Sequence, residues 1–160
     1  MSNRGRGALC VLVGAAWALF GSGTVSAADN WLGTWKLNVA KSKYSPGPAP
    51  KSGTAKLEAW EGGMKVTTDG VGADDKATHG EFSAKYDGKD YAYKGNPNAD
   101  MISLKRIDDD SYEATTKIKG KPTVVSRSVI SKDGKTRTQT QTGTDTQGRT
   151  VSNTVVWDRQ

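Results

Sequence analysis

Short segments of alternating apolar and polar residues, separated by glycine, proline and aspartate turn signals, run along most of this 160-residue chain. The turn signals recur at intervals of roughly 8 to 12 residues, a rhythm typical of an all-β sandwich or barrel. After about residue 28, no segment keeps a helical period over three turns. Connections this short join antiparallel neighbours, because a parallel pair needs a long crossover.

We predict about ten strands from this rhythm. Their ranges are 33–39, 54–61, 64–69, 77–86, 89–94, 101–107, 111–119, 123–131, 135–142 and 149–158. The predicted turns include Gly62-Gly63, Asp87-Gly88, Gly120-Lys121-Pro122 and Asp133-Gly134. A meander of this length removes its two edges by closing on itself. We therefore predict an all-β fold, an up-and-down antiparallel β-barrel rather than an open sandwich, with no substantial helix in the mature chain.

Residues 1–28 have the pattern of a secretory signal peptide. Two arginines precede an apolar run, and small residues follow it, with cleavage predicted after Ala27 or Ala28. A retained membrane anchor is the alternative, but nothing after Ala28 is apolar enough to stop transfer. We therefore expect a periplasmic or extracellular protein with a single domain, residues 29–160.

The predicted mature domain is polar and mildly basic. The only cysteine, Cys10, leaves with the signal peptide, so no disulfide or thiol chemistry is expected. The whole chain has a net charge of +6, with its basic residues scattered among acidic ones. Without a run of basic residues interleaved with aromatics, we expect no nucleic-acid partner. We expect a monomer without a membrane span, whose composition suits a barrel with a lined interior.

The start of the mature domain combines a strand with a long loop. Trp31, Gly33 and Trp35 share one parity of the first predicted strand, which indicates a covered face. The proline loop, residues 41–52, holds three prolines, which exclude a helix or a central strand. We interpret this loop as an ordered crossing or a flap.

Three short motifs lie where one known group of barrels has its signatures. They are Gly33-Thr34-Trp35, then Val124-Val125-Ser126-Arg127 followed by Asp133-Gly134-Lys135, and finally Val155-Val156-Trp157-Asp158-Arg159. With them the chain resembles the calycin superfamily, the lipocalins and fatty-acid-binding proteins, and most of all small secreted bacterial lipocalin-like proteins. The resemblance implies that Trp35 plugs the closed end, and that Arg159, or alternatively Arg149, packs over it. It thus implies Gly33, Trp35 and Arg159 as structural residues of barrel closure.

The chain departs from the fatty-acid-binding pattern in two ways. Those proteins close with an Arg-x-Tyr pair that grips a carboxylate, and Val155 and Trp157 occupy these positions here. The helical lid between their first two strands is replaced by the proline loop. The resemblance therefore implies a ligand-binding barrel that lacks the carboxylate grip of that group.

One strand and one hairpin supply most of the candidate site. The candidate ligand-binding residues are Arg127, Tyr91, Tyr93 and Trp157. Arg127 shares a parity with Val125 and Val129, but the apolar residues of this strand occur on both faces, so its facing stays open. If Arg127 faces inward, its buried charge needs an acidic partner or an anionic ligand. The tyrosines would add hydroxyl groups to an apolar wall.

The sequence offers little for catalysis or metal binding. His79 shares a parity with Glu81 and Lys85, which indicates a solvent face, with a catalytic base as the alternative. One histidine without carboxylate partners makes a poor metal site. Asp108-Asp109-Asp110 is interpreted as a charged turn rather than a calcium loop. We expect no enzymatic activity, no cofactor and no metal.

These observations favour a binding protein over an enzyme. We predict a barrel that binds a small amphipathic or anionic, lipid-like ligand. One alternative is a protein-interaction or protease-inhibitor-like module that acts through its loops, residues 41–51 above all. The other alternative is a structural envelope protein without a small ligand.

Overall fold

The computed structural model describes residues 30–160, so the predicted signal peptide lies outside the described residues. Ten strands follow one another along this part of the chain. They are β1 (Gly33–Leu37), β2 (Ser52–Trp60), β3 (Gly63–Val71), β4 (Ala77–Lys85), β5 (Tyr91–Lys94), β6 (Met101–Asp108), β7 (Ser111–Ile118), β8 (Lys121–Ile130), β9 (Thr136–Thr144) and β10 (Thr150–Arg159). Residues 30–160 contain no helix of the length and apolarity that crossing a membrane requires.

The ten strands form one closed antiparallel barrel. Each strand pairs with its neighbours in sequence, and β1 also pairs with β10. This closing pair places Trp35 opposite Arg159 and Leu37 opposite Trp157. In an open sheet, β1 and β10 would each expose unpaired backbone N–H and C=O groups. Here these groups form hydrogen bonds between the two strands. The predicted fold, an all-β up-and-down barrel, is confirmed.

The strand positions follow the sequence pattern, with small differences at the ends. The first strand ends at Leu37 rather than at Val39. Strand β8 begins at Lys121, so Pro122 lies in a strand rather than in the predicted turn. The register between β7 and β8 shifts close to this point. Proline, which has no N–H to donate, is tolerated where a ladder is irregular.

Two tryptophans close one end of the barrel. Trp35 and Trp31 are 0% and 1% exposed, at the end where β1 begins and β10 finishes. The Trp31 ring packs edge-on against Tyr112, with 4.7 Å between ring centroids. Its Nε1 donates a hydrogen bond of 3.2 Å to the backbone oxygen of Asp109, in the turn between β6 and β7. Both indoles thus shut this end against solvent.

The proline loop, which the structure bounds at residues 38–51, is an ordered crossing. Because β1 has only five residues, the first half of β10 extends beyond it. The loop pairs with that half instead. The Lys43 N–H donates to the Thr154 carbonyl at 2.7 Å and the Thr154 N–H donates back at 2.8 Å, while the Ser152 N–H donates to the Ser45 carbonyl at 2.7 Å. The loop is therefore fixed along β10 at the other, open end.

The apolar core fills the barrel interior towards the closed end. Its buried members are Trp31, Trp35, Ala55, Leu57, Met64, Val66, Phe82, Ala84, Ile102, Leu104, Tyr112, Ala114 and Ile130. None of these residues comes from β9, whereas β10 adds the buried Val151 and Val155. The interior therefore has an apolar side and a more polar side, and the core ends below the open end.

Candidate ligand-binding site

A cavity of about 410 Å³ lies inside the barrel and reaches towards the open end. This space, the main cavity, has a volume in the range of small-molecule sites. Val66, Phe82 and Ile102 supply an apolar wall. Asn96 and Asn98, in the loop between β5 and β6, lie at its open side.

Strand β9 supplies a polar wall of the main cavity. Its threonines alternate with Arg137, Gln139 and Gln141, which line the cavity, because successive side chains of a strand point to opposite faces. Gln139 Nε2 donates to Ser126 Oγ at 3.3 Å, and Gln141 Oε1 accepts from Asn153 Nδ2 at 2.9 Å. The two glutamines are thus tied to the neighbouring strands.

Arg137 is a buried cation where the main cavity meets the core. It is 4% exposed. The central carbon of its guanidinium lies 5.0 Å from the ring centroid of Trp157 and 5.7 Å from that of Trp35. No ion pair among residues 30–160 includes it. Its Nε also lacks a hydrogen-bond partner in this part of the chain.

The surroundings of Arg137 disfavour its charge. Burial lowers the pKa of its guanidinium, and the neighbouring Tyr112 phenol partly offsets this shift. An arginine side chain stays protonated in proteins nevertheless. A buried charge without an acidic partner costs free energy, and the two indole faces return only part of it. A ligand that brought a negative charge to this point would relieve the cost.

Trp157 adds a second buried donor beside Arg137. The two residues are direct partners in the register between β9 and β10. Trp157 lines the main cavity, and within residues 30–160 its buried Nε1 has no hydrogen-bond partner. Buried donors normally have acceptors. The Arg137–Trp157 pair therefore places a buried cation beside an indole donor that lacks an acceptor in the described part of the chain, at the bottom of the main cavity.

The predicted ligand-binding residues fall in different places. Trp157 and Tyr93 both line the main cavity, and burial raises the pKa of the Tyr93 phenol. Tyr91 lies outside the cavity lining: its hydroxyl donates to Asp87 Oδ2 at 2.9 Å, and its ring packs edge-on against Trp60. Tyr91 therefore lies in the wall near the turn between β4 and β5, outside the lining of the main cavity.

Arg127 does not reach the main cavity. The buried residues of β8 around it are Ser126 and Ser128, whereas Val125 and Val129 share its face and are 39% and 40% exposed. Of the two facings that the sequence leaves open, the structure has the outward one. In the middle of this strand serines point inward and valines outward, the reverse of the usual amphipathic order, although Val124 lines the cavity and Ile130 belongs to the core. Arg127 is therefore a surface residue.

The buried arginine that sequence reasoning missed is Arg137. Strand β9 alternates threonine with arginine and glutamine, so neither of its faces is apolar and a period of two residues indicates no facing. The pairing of β9 with β10 would have indicated that Arg137 faces inward. Trp157 stands directly opposite Arg137, and directly paired residues of an antiparallel ladder point to the same face.

The residues implied in barrel closure meet at the closed end. The guanidinium carbon of Arg159 lies 5.2 Å from the ring centroid of Trp35, and its NH1 and NH2 donate to the carbonyls of Asn30 and Leu32 at 2.8 and 2.6 Å. Gly33 has a φ of 123°, and a Cβ there would lie 3.4 Å from the Arg159 guanidinium. Glycine thus permits both the backbone angle and the close approach.

Arg149, the alternative partner of Trp35, lies at the opposite end of β10. Its Nε donates to Asp145 Oδ2 at 2.7 Å, and the Asp145 carboxylate also accepts the Arg149 backbone N–H at 2.9 Å. These bonds stabilise the turn between β9 and β10. Arg149 is therefore a turn residue.

Two other polar features lie on the surface. His79 is exposed, as the solvent-face interpretation predicts, and its Nδ1 lies 2.7 Å from Asp69 Oδ1, a carboxylate partner that the sequence did not indicate. Asp108 ends β6, and its carboxylate accepts the Asp110 N–H at 3.0 Å. The interpretation as a charged turn is confirmed. No three metal-ligating side chains come together within residues 30–160.

Fold and site define a closed ten-stranded barrel with an interior cavity and a buried cation at its bottom. The chain is similar to zebrafish ileal bile acid-binding protein complexed with cholic acid. The sequence identity is 12%, the TM-score is 0.49, and the similarity covers 82% of this chain and 99% of that chain. A similarity of this size bears on neither ligand nor function. No protein-family model and no curated protein matches the chain.

Proposed function

We propose that this protein is a calycin-like binding barrel that holds a small amphipathic anion without catalysing a reaction on it. The observation that carries the proposal is Arg137, a buried guanidinium at the bottom of the main cavity with no acidic partner among residues 30–160. Such a charge is retained against its cost in stability where a ligand uses it. A carboxylate, sulfonate or sulfate ester fits, because guanidinium donors bind such oxygens in parallel.

The cavity walls favour a ligand with an apolar body. Val66, Phe82 and Ile102 face the polar wall of β9 across the cavity, so an anionic group at Arg137 leaves the remainder of the ligand beside apolar side chains. Burial of that remainder supplies about 25 cal/mol per Å² of apolar surface. An anion without an apolar part, such as acetate, would use the charge but not the wall.

The proposal includes a location outside the cytoplasm. It is supported by the signal-peptide pattern of residues 1–28. Fractionation of the cells that make the protein, with mass determination of its N-terminus, tests this part. Full-length protein in the cytoplasm would contradict it, and a mature N-terminus at Ala28 or Asp29 would support it.

The binding proposal is tested by comparing decanoate with decan-1-ol in calorimetric titrations. The wild-type protein should bind decanoate more tightly, and Arg137→Met should weaken decanoate binding. Loss of one partner of a buried charge pair costs about 2–5 kcal/mol, which raises Kd about thirtyfold or more. Decan-1-ol, which brings no charge, should lose little.

Arg127→Met is the matched control for this experiment. It removes the same charge from the outer face of the adjacent strand β8, so its affinity for decanoate should equal that of the wild type. Equal binding of decanoate by wild type and Arg137→Met would overturn the proposal. So would equal binding of decanoate and decan-1-ol by the wild type.

A further inference from the structure

A second space lies beneath the proline loop and adjoins the main cavity. This loop compartment has a volume of about 210 Å³. The residues that line both spaces are Thr68, Gln139, Gln141 and Trp157. Beyond these shared residues, Leu37, Pro50 and Val155 supply apolar lining, whereas Ser52, Asp69 and Thr78 add polar groups. The two spaces therefore adjoin each other and share part of their walls.

Trp157 is the partition between the two parts. On the side of the main cavity, the Arg137 guanidinium lies over the Trp157 ring. On the other side its Cη2 lies 3.5 Å from the position that a Cβ at residue 53 would take, where Gly53 lines the loop compartment. A side chain at position 53 would occupy part of this space. Its Cβ would also lie only 3.3 Å from Leu37 Cβ. Glycine keeps the loop compartment open next to the indole.

The proline loop forms the roof of the loop compartment. Tyr44 and Pro50 line it from the loop side. Lys43 and Ser45, on either side of Tyr44, are hydrogen-bonded to β10, so the Tyr44 ring is held at the compartment by a fixed backbone. Burial raises the pKa of its phenol. The roof thus belongs to the barrel and covers one side of the loop compartment.

We propose that the loop compartment takes the uncharged, apolar end of the ligand whose anionic end binds at Arg137. The loop and Trp157 thereby set the length of ligand that the barrel accepts. This inference rests on the proposed function. Because the path from Arg137 into the loop compartment passes around the Trp157 indole, the matching ligand class is an anionic amphiphile with a flexible chain.

A chain-length series tests this inference. Calorimetric titrations with the n-alkanoates from octanoate to hexadecanoate should show Kd falling about fourfold for each added methylene group, until both spaces are full. In Val155→Phe the added ring occupies the loop compartment, which Val155 lines. The fall in Kd should then stop at a shorter chain than in the wild type.

Two matched Val→Phe variants separate this effect from general disturbance. Val151 lines the main cavity on the same strand, so Val151→Phe should weaken binding at every chain length. Val129 is exposed on the outer face of β8, so Val129→Phe should reproduce the wild-type series. If Val155→Phe stops at the same chain length as the wild type, the inference is overturned.

A second variant decides the matter if Val155→Phe does not fold, which circular dichroism would show. Tyr44→Ala removes part of the roof, so methylene groups in the loop compartment would meet water, and the gain per methylene should fall for long chains alone. A Tyr44→Ala series that matches the wild type would overturn the inference. Failure of the wild type to bind any alkanoate would instead overturn the proposed function itself.

Discussion

Two arginines approach the same indole, that of Trp35, and their environments give them opposite roles. Arg159 donates to the backbone carbonyls of Asn30 and Leu32, so its charge is well solvated by the protein. Arg137 lies between two tryptophan rings, and its Nε has no acceptor within residues 30–160. The first arginine stabilises the closed end. The second is buried without an acidic partner among the described residues, and we expect it to reduce stability.

This contrast predicts opposite signs in ligand-free unfolding experiments. Arg137→Met removes a buried charge that has no acidic partner within residues 30–160 and should leave the free energy of unfolding unchanged or raise it by about 1 kcal/mol or more. Arg159→Met removes charged hydrogen bonds and should lower it by about 1.5–3 kcal/mol. Urea denaturation of both variants and the wild type measures this. Equal destabilisation by the two substitutions would contradict the opposite effects on stability that we assign to Arg137 and Arg159.

At the scale of elements, the proline loop completes the sheet where β1 is too short. The pairs of Lys43 with Thr154 and of Ser45 with Ser152 continue the ladder along β10. The Ser42 hydroxyl also accepts the Val156 N–H at 2.9 Å. A segment that shields an exposed strand edge in this way behaves as part of the sheet. Its position over the loop compartment is therefore set by its contacts with β10.

Hydrogen exchange of single amides checks the fixed loop. The amides of Lys43 and Thr154, which bond to each other's carbonyls, should exchange as slowly as amides in the β1–β10 pair. The Gly47 amide, in the middle of the loop, should exchange faster, because local opening needs fewer broken contacts there. Exchange of Lys43 as fast as that of Gly47 would show that the loop opens as a flap.

The sequence predicts the elements of this barrel better than it predicts their faces. Strand and turn positions follow from the period of two and from glycine and aspartate at the turns, and these are local properties of the chain. The facing of β8 and β9 is decided by the whole barrel. Val125 lies outside and Ser126 inside, and β9 has no apolar residue to indicate a side. The candidate site therefore fell on Arg127 instead of Arg137.

At the scale of the whole molecule, buried tyrosines make the barrel sensitive to alkaline pH. Burial, followed by the nearby Tyr112, raises the pKa of Tyr86 from 10.0 to about 12. Burial also raises the pKa of Tyr93 and of Tyr44. The folded state thus favours the neutral phenols over the charged phenolates more strongly than the unfolded chain does.

The sign of the pH dependence follows from these raised values. The stabilisation from Tyr86 is fully present below pH 10, where the phenol is neutral in both states, and is lost as the pH rises through about 12. Urea denaturation at a series of alkaline pH values should show a falling free energy of unfolding. Tyr86→Phe, which cannot ionise, should make this fall less steep. An identical slope in the variant would refute the assignment to Tyr86.

The pairing of β1 with β10 also governs how the chain assembles over time. Within residues 30–160, every other strand pairing joins elements that are consecutive in the sequence, and hairpins of that kind form within about 1–10 μs. The pairing of Trp35 with Arg159 joins the two ends of the described chain, and its loop-closure entropy is the largest in the fold. Until this contact forms, the outer edges of β1 and β10 remain unpaired. The rate of folding, and the time for which aggregation competes with it, therefore depend on how fast the first strand finds the last.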